Sequence, residues 1–170
     1  MIDVIGAFWL ILPAYFANAS ATLAKGKLRM DFSKNFFDGQ PLFGAGKTFE
    51  GFLFGISVGT LIGLFQQFLQ QAYGLGFSFS AGFFSSALMS FGALSGDLAG
   101  SFIKRRMKLK RGEPVLLLDQ LDFVFGAVFF TSLFYTLGLD TVMLIIIMTP
   151  LIHLTANVLG YRMKLKREPW

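Results

Sequence analysis

From Gly51 to Gly96 no residue carries a formal charge. A water-exposed surface cannot be built from such a run, and the rest of the chain does not compensate. Charged residues make up 15% of the sequence and hydrophobic ones 54%, where soluble domains carry about 25% charged residues. The composition implies an all-α, polytopic integral membrane protein. A spanning helix needs about 20 mostly apolar residues. The uncharged run is too long for one span and suits two, with a break at Gln70-Gln71-Ala72-Tyr73-Gly74-Leu75-Gly76 and with Ser78 and Ser80 following. The same rule predicts five transmembrane helices over about 4–24, 49–69, 82–103, 121–137 and 141–161. They are joined by polar loops 25–47 and 104–118, with residues 1–170 forming one transmembrane domain. The first run has no basic segment before it and is too long for a signal peptide. Pro13 and Asn18 within it are tolerable where neighbouring helices satisfy freed polar groups.

All fifteen Lys and Arg fall in three segments: loop 25–47, the cluster Lys104, Arg105, Arg106, Lys108, Lys110 and Arg111, and the tail from Arg162. Five spans put these three segments on one side, whereas four or six would scatter them. The positive-inside rule makes that side cytoplasmic, with the N-terminus outside and the C-terminus in the cytoplasm. In a soluble chain a net charge of +5 would raise the question of nucleic acid. Here the bilayer is the expected partner and nucleic acid is not. Topology alone accounts for cations in loops, but it leaves the acids unexplained.

Asp97 lies two turns before Lys104, about 10 Å of helix from the cytoplasmic rim. A charge there is costly without a partner, a metal or a wet cavity; the plainer reading is a salt bridge to the basic loop. Asp119 and Asp122 are spaced i, i+3 and share a face if the turn is helical. One of them is accounted for as a helix-start acid, but two on one face repel unless a cation intervenes. Three carboxylates at one rim suit Mg²⁺ or Mn²⁺, which take oxygen ligands and leave room for a nucleotide phosphate. Cys is absent, so no thiolate site exists. Gly44-Ala45-Gly46-Lys47-Thr48 ends like a P-loop, but Pro41 stands where its first Gly belongs and no strand precedes it. A glycine-rich turn with Lys and Thr at a helix start still makes an anion site, or simply a flexible loop ending in a cap. Asn18 and Asn157 could meet a nucleotide base or sugar, though interhelical hydrogen bonding is the plainer role. His153 reads as a packing or hydrogen-bonding residue. Gly51, Gly55, Gly59 and Gly63 form a smooth ridge that serves either an internal contact or a homodimer.

Ser101-Phe-Ile-Lys104-Arg105, Lys110 and then Asp119-Gln-Leu-Asp122 resemble the signature of the lipid cytidylyltransferases of the CDP-diacylglycerol synthase type. Length, the Gly-Lys-Thr segment and the compact basic loop are closer still to the archaeal branch, the CDP-archaeol synthases. Arg111 stands where the wider signature has Asp, Gln120 replaces an Arg, a His-Gly-Gly segment is missing and the linker to Asp119 is shorter. These departures fit a smaller, divergent branch. The resemblance implies Mg²⁺-dependent transfer of CMP from CTP to an isoprenoid ether-lipid phosphate, giving CDP-archaeol and pyrophosphate. It assigns Asp97, Asp119 and Asp122 to the metal and Lys104 to phosphate, with Lys47 and Thr48 at the nucleotide, where Gly44 and Gly46 of the glycine-rich turn would join them. The rival readings are a small transporter or ion channel, whose acids would mark an ion path, and a CTP-dependent lipid kinase, which would release CDP.

Overall fold

The structure, a computed structural model, describes residues 4–77, 79, 82–110 and 112–164. Ser78, Ser80, Arg111, Lys166 and Arg167, which figure in the sequence reading, lie outside the described residues. Five helices follow one another: α1 (Val4–Ala21), α2 (Phe49–Tyr73), α3 (Phe83–Arg106), α4 (Leu118–Ser132) and α5 (Leu139–Arg162). Among the described residues there is no strand; two isolated β-bridges, Arg29 with Thr48 and Asn35 with Pro41, fold the first loop on itself. The all-α expectation holds, and α1, α2 and α5 are each long and apolar enough to cross a membrane.

The helix limits differ from the hydropathy limits, for physical reasons. Helical hydrogen bonding does not stop where the apolar stretch does. So α2 runs past residue 69 to Tyr73, where Gly74 adopts a left-handed φ of 62° and its N–H closes on the Gln70 carbonyl. Likewise α3 continues past residue 103 through its basic last turn. At the remaining limits α5 begins at Leu139 rather than 141, and α1 stops at Ala21, before residue 24. The largest correction is α4, expected over 121–137. It starts three residues earlier, because Asp119 in its first turn accepts a hydrogen bond from the Val115 N–H at 2.9 Å. It ends at Ser132, and the chain then turns. Fifteen residues make a helix of about 22 Å, short of a hydrocarbon core of about 30 Å.

The inside of the bundle is small and partly polar, and the outside is apolar. Ser85, Ser86, Ser90, Thr131 and Thr149 are buried, while Phe54, Leu61, Phe65, Phe68, Met143, Ile147 and Leu151 are exposed. That inversion suits a lipid solvent, in which close packing of small residues rather than the hydrophobic effect joins helices. The α2 glycine ridge serves an internal contact. A Cβ at Gly51, Gly55 or Gly59 would meet the carbonyl oxygens of Ala21, Ala17 and Pro13 on α1 at 2.8, 2.7 and 2.6 Å, and one at Gly63 would strike Ser86 of α3. The tightest seam is α3 on α4. Side chains at Gly96 or Gly126 would collide with the backbone of the facing helix. Across the middle, Tyr15 of α1 shares a hydrogen bond with Thr149 of α5 at 2.8 Å, and Phe123 packs on Tyr15 with ring centroids 5.7 Å apart.

Gly126→Val must push α4 off α3. It is expected to cost roughly 1–3 kcal/mol, the range for overpacking a close contact, and to lower the melting temperature in detergent. Gly76→Ala, with nothing within 4 Å of a new Cβ, should leave the melt unchanged.

Candidate active site

The polar ends of α2, α3 and α4 meet. The approach to α2 is held as a short two-stranded turn: Met30 N–H donates to the Lys47 carbonyl and Phe49 N–H to the Leu28 carbonyl, both at 2.9 Å. Glu50 Oε1 accepts from the N–H groups of Lys27 and Leu28 at 3.0 and 3.1 Å. Thr48 caps α2, its Oγ1 accepting from the Gly51 N–H at 3.2 Å. Gly44 has a φ of 95°, a value strained for other residues, and its N–H donates to Asp31 Oδ2 at 2.9 Å. These constraints aim the Lys47 side chain at α3, where it forms an ion pair with Asp97.

On α3, Asp97, Gly100 and Lys104 recur at i, i+3 and i+7, one face of a helix. That face meets α4. Lys104 forms an ion pair with Asp119 Oδ1, while Asp119 Oδ2 is held by Val115 N–H. Asp122 lies against Gly100, where a Cβ would overlap its carboxyl group. Its Oδ1 accepts from the Phe123 N–H at 2.6 Å, and it lies in the fields of Asp97, Lys47 and Lys104. The three acids and two lysines singled out in the sequence therefore form one interlocked group. Asp97 does have a salt-bridge partner, but it comes from the Gly-Lys-Thr segment rather than the second basic loop. Gly46 and Thr48 line a cleft beside the Lys47–Asp97 pair with a volume of about 40 Å³. Asn18 is half-buried one turn before the end of α1, and no hydrogen bond joins its side chain to this group.

The sequence reading did not find the arginines that brace the site. The Arg29 guanidinium pairs with Asp31 at 3.0 Å. Arg106 is stacked between the rings of Phe36 and Phe102, 4.8 and 4.6 Å from their centroids. It reaches Asp38 at 3.1 Å and donates to the Pro41 carbonyl at 2.6 Å. Arg105 donates to the Leu109 carbonyl at 2.6 Å. Cations that looked like topology signals thus brace each polar loop, and Arg106 ties the two together. Their one trace in the sequence is Asp38 in a turn, directly after the aromatic pair Phe36-Phe37.

A second cavity, about 300 Å³, opens between the start of α4 and α5. Asp119 lies on its edge, and His153 and Asn157 line it together with apolar groups. Asn157 Nδ2 is 3.1 Å from His153 Nδ1.

A family model described as "CarS-like: CDP-archaeol synthase" matches residues 1–170. The chain belongs to the CDP-archaeol synthase family. Proteins named CDP-archaeol synthase from Pyrococcus furiosus and Thermococcus gammatolerans are each 47% identical, over 100% of both chains for the first and over 96% of this chain and 95% of the other for the second. One from Pyrobaculum islandicum is 43% identical over 99% of each chain. A solved structure reported as structural insight into an intramembrane enzyme for archaeal membrane lipids biosynthesis superposes with a TM-score of 0.79 at 38% identity, covering 92% of this chain and 95% of that one. The resemblance seen in 44–50 and 95–122 therefore extends over the whole chain. The chain is a membrane enzyme of this transferase family.

For a magnesium ion the donor chemistry is suitable but incompletely gathered. Among the described residues no three acidic or histidine side chains stand close enough to hold one ion. Asp122 lies in the field of Asp97, while Asp119 is turned to Lys104 and the Val115 N–H. Two carboxylates completed by substrate phosphates and water are an ordinary magnesium set, so the pair fits.

Burial works against the charged form of Asp31, but the Arg29 guanidinium and the N–H groups of Gly44 and Ser33 outweigh it and hold the carboxyl below the usual carboxylate value. A lowered folded-state value stabilises the fold fully above the unfolded value, about 3.9, and this stabilisation is lost as pH falls through the folded value. Limited proteolysis of loop 25–47 should therefore accelerate on acidification below about pH 4. In Asp31→Asn it should already be fast at neutral pH and lose most of that acid dependence.

Proposed function

We propose that this enzyme transfers CMP from CTP to an isoprenoid ether-lipid phosphate, unsaturated archaetidic acid, releasing pyrophosphate and forming CDP-archaeol. A lipid phosphate oxygen forms the new bond to the α-phosphorus of CTP as the bond from that phosphorus to the pyrophosphate oxygen breaks. The nucleophile is already anionic, so no general base is required. The observation that carries the reading is the interlocked group Lys47–Asp97, Lys104–Asp119 and Asp122, set where the start of α2, the end of α3 and the start of α4 converge.

The site as it stands is closed by its own charges. A volume of about 40 Å³ holds a water or two, against the several hundred Å³ of a small-molecule site. A triphosphate offers Lys47 and Lys104 better partners than the carboxylates do, so phosphate binding opens both ion pairs. Lys47 then holds the nucleotide phosphates, with Gly44, Gly46 and Thr48 shaping the turn beneath them. Lys104 stands where the two substrates' phosphates meet. Asp97 and Asp122, with Asp119 beside them, are the residues that would hold Mg²⁺ or Mn²⁺. When bound, the ion neutralises phosphate charge and stabilises the developing charge of the leaving group. Asn18, near the end of α1, would meet the base or ribose.

In this reading the chain crosses the bilayer five times, α4 completing its passage through the turn that follows it. The helix ends that meet at the site adjoin the two basic loops, and an odd number of spans brings the basic tail to the same side, so by the positive-inside rule the site and the C-terminus lie in the cytoplasm and the N-terminus outside. CTP arrives from the cytoplasm and is drawn by the cations, while the lipid's chains remain in the bilayer.

The purified protein should release pyrophosphate only when CTP, an ether-lipid phosphate and Mg²⁺ are all present. EDTA should abolish release, and added Mg²⁺ should restore it. Asp97→Asn should cut turnover by at least about a hundredfold, the scale of losing a preorganised electrostatic group, with an unaltered melt. Near-normal turnover would remove Asp97 from the site. No release with any nucleotide from folded protein would favour the transport reading.

A further inference from the structure

We propose that the cavity between the 114–120 segment and α5 seats the glycerol end of the lipid phosphate, with His153 and Asn157 contacting it directly. The inference rests on the cytidylyltransferase reading above and names the place of its second substrate. The cavity has about 300 Å³ and is walled largely by Pro114, Val115, Leu116 and Leu154. Such walls suit a glycerol ether and the first carbons of its chains and suit a ribose or triphosphate poorly. The volume cannot hold two isoprenoid chains, and it does not need to. Leu154 is 51% exposed, and Leu151, one turn away, is 67% exposed, so chains leaving past them enter the apolar belt of the bundle.

The polar groups lie on the inner side. Asn157 is buried on a turn of α5 where Thr155, Ala156 and Leu159 are exposed. Burying an amide in an apolar wall is costly unless it is hydrogen-bonded, and a site for a polar head group supplies a reason to keep it. Its Nδ2 lies 3.1 Å from His153 Nδ1. With the amide donating, the imidazole carries its proton on Nε2, and the ring lines the cavity. Asp119 links this cavity to the charged group: it lines the cavity and is the ion-pair partner of Lys104. A phosphate seated here displaces Asp119 from Lys104 and so arrives beside Asp122 and Asp97. The two cavities thereby account for the two substrates, one polar and closed by lysine, the other apolar with a donor-lined inner wall.

The test is steady-state formation of CDP-lipid by the full chain in nanodiscs, varying CTP and the ether-lipid phosphate in turn. Asn157→Leu, His153→Phe and Val115→Phe, the last narrowing the cavity from the opposite wall without altering α5, should each raise KM for the lipid phosphate roughly tenfold, the scale of one hydrogen bond to an anion. KM for CTP and kcat should stay within about twofold, as expected for lost ground-state binding. His153→Gln, which keeps a donor, should recover much of the loss. An unchanged lipid KM in the folded variants, or a rise in the KM for CTP instead, would overturn the proposal while leaving the reaction assignment intact. Failure of the wild-type protein to make CDP-lipid from CTP would overturn the reaction assignment, and this proposal with it.

Discussion

The contact of α3 with α4 through bare backbone governs this molecule. Gly92, Gly96 and Gly100 on one helix and Gly126 on the other leave no room for side chains between them. In lipid there is little hydrophobic gain from joining two helices, and close van der Waals approach takes its place. The chemical consequence is positional. Asp122 has nowhere to go but into the space left by Gly100. Asp119, one turn earlier, meets Lys104, one turn beyond Gly100. The helix seam and the carboxylate group are therefore one feature, and a substitution that widens the seam also disperses the acids.

The second governing feature is charge neutralisation in a poorly hydrated place. Asp97 and Asp119 each have a lysine, and Asp122 shares the fields of both. An ion pair of this kind, half-buried and lacking a full set of hydrogen bonds, gives the fold little net stability. Its value lies in exchange: the cations that balance the acids are the ones that a phosphate recruits. Around this replaceable core lie contacts that are not exchanged. Arg29 on Asp31 and Arg106 between Phe36 and Phe102 hold the loops, so that Lys47 moves on a rigid base.

Much of this was legible in the residue string. The uncharged run from Gly51 to Gly96 predicted two helices there, and the i, i+3 spacing of Asp119 and Asp122 predicted a shared face. Lys104 and Lys47 were singled out, but their partners were not, because pairing is set by how far α4 slides along α3, a property of the glycine seam rather than of local sequence. Hydropathy located α4 poorly for a related reason. It detects the apolar stretch, whereas the helix starts where Asp119 satisfies a loop N–H and ends at Ser132, where the chain turns while still apolar. Arg106 was not read, since its hydrogen-bond acceptors lie more than sixty residues away and its own segment looked like a simple topology signal. His153 looked like packing in an apolar helix. Its place on a cavity wall emerges only when α5 is laid against the loop before α4.

The central claim is that nucleotide phosphate replaces Asp97 as the partner of Lys47. The most direct measurement is the rate at which an amine-selective reagent modifies Lys47, followed by mass spectrometry of the intact protein's peptides, with and without CTP and Mg²⁺. The account predicts that CTP slows modification of Lys47, that ATP does so weakly, and that Lys25 and Lys27 react at the same rate throughout. Unchanged Lys47 reactivity at saturating CTP would contradict it and move the nucleotide elsewhere in the bundle.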